Sequence, residues 1–210
     1  MRSVNLVKLI AFVVLAVFAF SILRPHLAHN PVIANLTPAA RPSQAATGAL
    51  ETHYSPEENL EFIDTESLRA SRSSIEMFAY SLTDMAVIDA LKIAAERGST
   101  ESIYLDREQT ENELRRPALR AALLDLASTP HVTIRVKAST ILQHTKSYVI
   151  DRAVLREGSA NFSPSALKAQ DNDLLLTNDV NAVEMFENAF AKAWNRPTNM
   201  ELADFAQGNN

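Results

Sequence analysis

The sequence predicts an α/β fold, a mixed β-sheet with helices on both faces. Two observations carry that expectation. From about residue 51, short β-rich apolar runs alternate with longer segments of helical periodicity. The helical segments also begin and end on residues with a physical reason to cap them. The chain has 210 residues, enough for one domain of about 150 residues and an N-terminal appendage.

The elements follow in order. A first helix is expected over residues 57–71, with Leu60, Ile63 and Leu68 on its apolar side. SIEMFAYSL (74–82) reads as a buried strand. Asp84 can cap a helix through Arg97, with Val87, Ile88, Leu91 and Ala95 on one face and Gly98 as its stop. SIYLD (102–106) is the next strand. Pro117 opens a helix carrying Leu119, Leu123 and Leu126. VTIRV (132–136) is a strand, and 146–151 with 153–158 form a pair of short strands. Pro164 starts a short helix, DLLLT (173–177) is a strand, and Asp179 caps a helix through Trp194. Trp194, Phe186 and Phe190 share helical spacing and are expected in the core.

Four segments result: 1–23, 24–50, 51–200 as the folded domain, and a 201–210 tail. Arg2 and Lys8 precede an apolar run over residues 9–23 whose one polar member is Ser21. With residues from Val4 it approaches the roughly 20 needed to cross a bilayer. It reads as a transmembrane anchor or a signal peptide. Its length, and the distance to the nearest small-residue site at 32–34, favour the anchor. Arg2 and Lys8 would then stay cytoplasmic and the domain would face the other side. This implies the bacterial cell envelope: inner-membrane association with a periplasmic domain, or export after cleavage. Residues 24–50 hold four prolines and many small residues, as a flexible linker does.

The net charge of −5 offers no overall basic footprint for duplex nucleic acid. The absence of cysteine excludes disulfides, thiolate zinc sites and a cysteine nucleophile. None of the five histidines has the spacing of a helical metal site. Arg107 follows the second strand, at an end where α/β folds place ligands, and is a candidate substrate contact.

The chemistry concentrates in ILQHTKSYVIDRAVLREGSANFSPSALKAQDNDLLL (141–176). His144-x-Lys146-x4-Asp151 is followed, after six residues, by Gly158-Ser159-Ala160-Asn161. On a strand, His144 and Lys146 point to one face. Asp151, seven residues from His144, falls on the other face and reads as structural. An imidazole can act as a nucleophile. Lys146, the Asn161 amide and the Ser159 hydroxyl can donate to negative charge that develops beside it.

This constellation resembles the phospholipase D superfamily, in its short single-motif, Nuc endonuclease-like branch. The resemblance spans about residues 52–197 and includes YSPEEN (54–59), AAERG (94–98), YLDRE (104–108) and the closing helix. It implies a phosphodiesterase working through a covalent phosphohistidine on His144, without metal or organic cofactor. It also implies a homodimer that shares one active site, the second His144 serving as general acid. A family glutamate about fifteen residues beyond Gly158-Ser159 orients the histidine. Here Asp173, or Asn172 after a one-residue shift, stands in its place. Nucleic acid is the first substrate reading and a phospholipid headgroup the second. A catalytically weak binding protein on the same fold is the third.

Overall fold

The computed structural model describes residues 48–208. The anchor or signal segment and most of the linker lie outside the described residues; among the described residues no helix is long and apolar enough to cross a membrane. The strands are β1 (Leu50–Ser55), β2 (Ser74–Ala79), β3 (Thr100–Leu105), β4 (Val132–Val136), β5 (Lys146–Ile150), β6 (Val154–Gly158), β7 (Asn172–Thr177) and β8 (Met200–Glu201). The helices are α1 (Leu60–Arg69), α2 (Met85–Glu96), α3 (Arg107–Leu114), α4 (Pro117–Ser128), α5 (Pro164–Lys168), α6 (Val180–Trp194) and α7 (Leu202–Gly208).

All eight strands join one sheet in the order β1-β7-β6-β5-β2-β3-β4-β8. β2, β3 and β4 are parallel, and the other pairs are antiparallel. This is the mixed α/β sheet the sequence predicts. Strand alternation divides the core in two. Ile75, Met77, Ile103, Leu105 and Tyr148 belong to one cluster, with Val87, Ile88 and Leu91 of α2 and with Leu60, Leu68, Leu119 and Leu123. Phe78, Tyr104, Val149 and Leu155 face α6, where Phe186 and Phe190 meet the Phe78 ring edge-on at 5.6 and 5.0 Å.

Local chemistry accounts for the helix ends. Asp84 accepts from the Ala86 and Val87 amides at 2.9 and 3.3 Å, and Gly98 at φ 99° ends α2. Pro117 occupies the first turn of α4. Asp179 accepts from Ala182 at 2.9 Å and starts α6.

Several elements differ from expectation. α1 starts at Leu60, because Asn59 caps it through the Phe62 amide. β2 ends at Ala79, where its partner β5 begins, and Leu82 instead makes an isolated bridge to Phe162. His144 lies ahead of β5 in an irregular segment, not on the strand with Lys146. The short strand β1 and helix α3 have no forecast in the sequence pattern. The segment read as a tail is also structured as far as Gly208: α7 buries Leu202, Phe205 and Ala206 in the core. Four apolar residues within five positions are too short a run to establish a period, so only packing reveals that helix.

Candidate active site

The cleft arises from a split in the sheet. The β5–β6 ladder pairs Ile150 with Val154, Val149 with Leu155 and Tyr148 with Arg156, and then stops. On either side the ladders continue, β2–β5 to Ala79 opposite Lys146 and β6–β7 to Gly158 opposite Leu174. The strands therefore part at the end that holds both halves of the motif. The opening is a cleft of about 360 Å³. His144, Thr145, Lys146 and Ser147 form one lip, and Glu157, Gly158, Asp173 and Leu175 the other.

The first lip is anchored on both sides of an exposed His144. The Gln143 amide donates to Asp106 Oδ2 at 2.8 Å, and Gln143 Oε1 accepts from the Thr145 amide at 3.1 Å. Tyr80 N donates to Thr145 O at 3.1 Å, and the Tyr80 ring lies 4.7 Å from the His144 imidazole, centroid to centroid. Lys146 is 5% exposed; its Nζ donates to the His144 carbonyl at 2.5 Å and sits 4.9 Å from the Tyr80 ring centre. Burial pushes the Lys146 ammonium down to about 8.

The second lip depends on a close backbone approach. A Cβ at Gly158 would lie 2.3 Å from the Asp173 carbonyl oxygen, which no side chain tolerates. That approach seats Ser159 on the start of β7. Its amide donates to Asp173 Oδ1 at 3.2 Å, its hydroxyl donates to Asn172 Oδ1 at 3.0 Å, and the same hydroxyl oxygen accepts from the Asp173 amide at 3.0 Å. The single Ser159 proton is thus engaged within the protein. Asn172 donates Nδ2 to the Ala166 carbonyl and does not line the cleft, whereas Asp173 does. Among the described residues, no carboxylate is hydrogen-bonded to the His144 ring. Asn161 Oδ1 is buried without a hydrogen-bond partner, and Asn161 is not among the cleft-lining residues.

Two motif-associated residues lie elsewhere. Asp151 is at the opposite end of β5, in the three-residue turn that joins β5 to β6, with φ 53° at Asp151 and 55° at Arg152. Burial opposes its ionisation, but the Ser74, Ser73 and Arg72 amides and the Ser73 hydroxyl outweigh that and hold its pKa at about 2. It ties the β5–β6 turn to the loop before β2. Arg107 donates to the Ala138 carbonyl at 2.9 Å and pairs with Glu111 at 3.2 Å. It lines a separate depression with Asp106, Glu108, Glu111 and Arg115, and does not reach the His144 cleft. No group of three or more His, Asp or Glu among the described residues is arranged to hold a metal ion.

The structure adds Tyr80, Glu157, Asp64 and Arg156. Arg156 and Asp64 are fully buried and form a bidentate pair, Nε–Oδ1 at 3.1 Å and Nη2–Oδ2 at 3.0 Å. Nothing local in AVLREG distinguishes a buried arginine from a solvated one.

The split sheet thus sets the His144-x-Lys146 pair and the Gly158 end of β6 on opposite lips of one cleft. Residues 65–194 match the family model described as cardiolipin synthase, PLD-like domain, and the chain belongs to this phospholipase D-like family. It is 26% identical over 141 residues to a mitochondrial cardiolipin hydrolase of Danio rerio, covering 65% of this chain and 59% of that protein. It is 26% identical over 153 residues to a phospholipase D of Rickettsia prowazekii (strain Madrid E), covering 71% and 70%. The chain thus spans less than two thirds of the cardiolipin hydrolase. Its fold matches that of Nuc, a phospholipase D family member from Salmonella typhimurium, at TM-score 0.66 and 24% identity over 73% of this chain and 97% of that one.

Proposed function

We propose that this chain is a phosphodiesterase that works through a phosphohistidine on His144. The observation that carries the reading is one cleft holding an exposed imidazole beside the nearly buried Lys146 ammonium. A neutral His144 nitrogen attacks phosphorus, a P–N bond forms, and the P–O bond to the leaving alcohol breaks. The leaving oxygen takes a proton from a general acid. Water then gives a proton back to the deprotonated general acid and attacks phosphorus; a P–O bond forms, the P–N bond breaks, and phosphate monoester and free imidazole are released. Lys146 neutralises charge on the non-bridging oxygens where water is largely excluded. Asn161 is a further candidate donor, and Asp173, on the facing lip, the candidate carboxylate for orienting His144.

One chain brings one imidazole and one ammonium to the cleft, against the carboxylates of Glu157 and Asp173. That balance supports a homodimer in which a second His144 is the general acid and a second Lys146 adds positive charge. The N-terminal apolar run supports anchoring to the bacterial inner membrane with the domain beyond it, testable by protease accessibility in spheroplasts.

Nucleic acid is the first substrate reading, on the short single-motif architecture. A phospholipid headgroup is the second. It is favoured by the apolar Ile141 and Leu142, 74% and 52% exposed just ahead of His144, and by the lipid enzymes among the relatives. Hydrolysis of bis(p-nitrophenyl) phosphate tests the enzyme reading, and its absence would leave a binding protein. Parallel assays on single-stranded DNA, phosphatidylcholine and cardiolipin vesicles separate the substrates.

A further inference from the structure

The split between β5 and β6 poses a structural problem. Where the ladder stops, Lys146 has no main-chain pairing with β6, and the chain beyond Gly158 must still be held at a set distance from it. Arg156 is the last β6 residue paired to β5, and its side chain points to the face opposite α6, with Tyr148. There its guanidinium spans the gap. Nη1 donates to the Lys146 carbonyl at 2.8 Å and to the Ala160 carbonyl at 3.3 Å, and Nη2 donates to Ala160 O at 3.3 Å. The remaining N–H groups go to Asp64, which also accepts from the Tyr148 hydroxyl at 2.9 Å. All five guanidinium donors are engaged, and Cζ lies 4.7 Å from the centre of the Phe162 ring.

A buried ion pair is a poor source of net stability, since desolvation offsets most of its attraction and an apolar pair of similar volume serves as well. This one does what an apolar pair cannot: it bonds one main-chain oxygen from each half of the motif. We infer that Arg156, held by Asp64, is a positioning residue that braces the split sheet and sets the spacing between His144–Lys146 and the Ser159–Asn161 segment. The inference rests on the phosphodiesterase reading for its kinetic consequence, and on the bracing geometry together with the burial of Lys146 for its effect on that residue.

The test compares wild type, Asp64→Leu/Arg156→Met and Arg156→Lys in the full chain. The double variant replaces the pair with apolar volume. The lysine keeps the charge for Asp64 but lacks the fork that reaches both carbonyls. For folded variants, kcat on bis(p-nitrophenyl) phosphate should drop on the order of 100-fold. KM should change little, since this small substrate makes few contacts. In both variants the Lys146 Nζ titration, followed by NMR of labelled lysine, should move from near 8 toward the ordinary lysine range as the lip loosens. A folded variant with wild-type kcat and an unmoved Lys146 titration overturns the brace. A wild type without activity on any phosphodiester sinks the functional reading, while the Lys146 titration still decides the brace. If neither variant folds, wild-type Arg156 decides it: resolved, slowly exchanging guanidinium protons support the brace, and rapid exchange overturns it.

Discussion

Raising the pH through 8 should switch the site off by discharging Lys146. Its side chain lies under the Tyr80 ring and against the His144 carbonyl, with no carboxylate of the described residues in salt-bridge contact. Burial therefore acts almost unopposed and brings the ammonium from 10.5 down to about 8. The cation is the form that stabilises the reacting phosphate, so kcat/KM, which reports the free enzyme, should fall about tenfold per pH unit above that value. At pH 9 roughly a tenth of the molecules keep the charge, whereas an ordinary lysine would be almost wholly protonated. The assay is p-nitrophenolate release from bis(p-nitrophenyl) phosphate between pH 5 and 10, with circular dichroism confirming the fold at each pH. Lys146→Arg supplies the control. A guanidinium does not titrate in this range, so that variant should be slower at pH 7 yet lack the limb near 8. A wild-type limb at 10 or above, or a limb near 8 that survives in Lys146→Arg, would refute the assignment.

Other consequences are as direct. Glu101 is fully buried, and neither of its carboxylate oxygens has a hydrogen-bond partner among the described residues; burial raises its pKa from 4.5 to about 8. The folded state keeps this proton where the unfolded state loses it, so stability should fall by up to ~1.4 kcal/mol per pH unit as pH rises from 4.5 to about 8. Urea unfolding should show Glu101→Gln gaining on wild type between pH 5 and 8.5; an equal difference at both pH values counts against it. His144→Asn should remove turnover while leaving the melting temperature nearly unchanged, because the ring is exposed; more than trace activity defeats the mechanism. Asp173→Ala should impair kcat more than Asn172→Ala, since Asp173 lines the cleft, and the reverse order would assign the orienting role to residue 172. Mixing wild-type and His144→Ala chains should lower activity faster than the wild-type fraction, and a linear fall after confirmed subunit exchange would show that each chain works alone.

What the sequence determined by itself is what short-range chemistry controls. Asp84 and Gly98 bound α2, Pro117 opens α4 and Asp179 opens α6, because caps and breakers act within a turn of the chain. The alternation of runs carried the α/β class, and the spacing of His144, Lys146 and Gly158-Ser159 pointed to the candidate cleft that His144, Lys146 and Gly158 line. Tertiary structure decided the rest, because cross-strand register and side-chain direction depend on partners far along the chain. Arg107 turns to Ala138 and Glu111 instead of the cleft. Asp151 finds its donors at residues 71–74, about eighty positions away. The β5–β6 ladder stops at Tyr148 and Arg156, and that local loss of pairing opens the cleft. Arg156 occupies the gap because Asp64, on another element, supplies the counter-charge that allows a guanidinium to be buried there, and no window of sequence around either residue contains both.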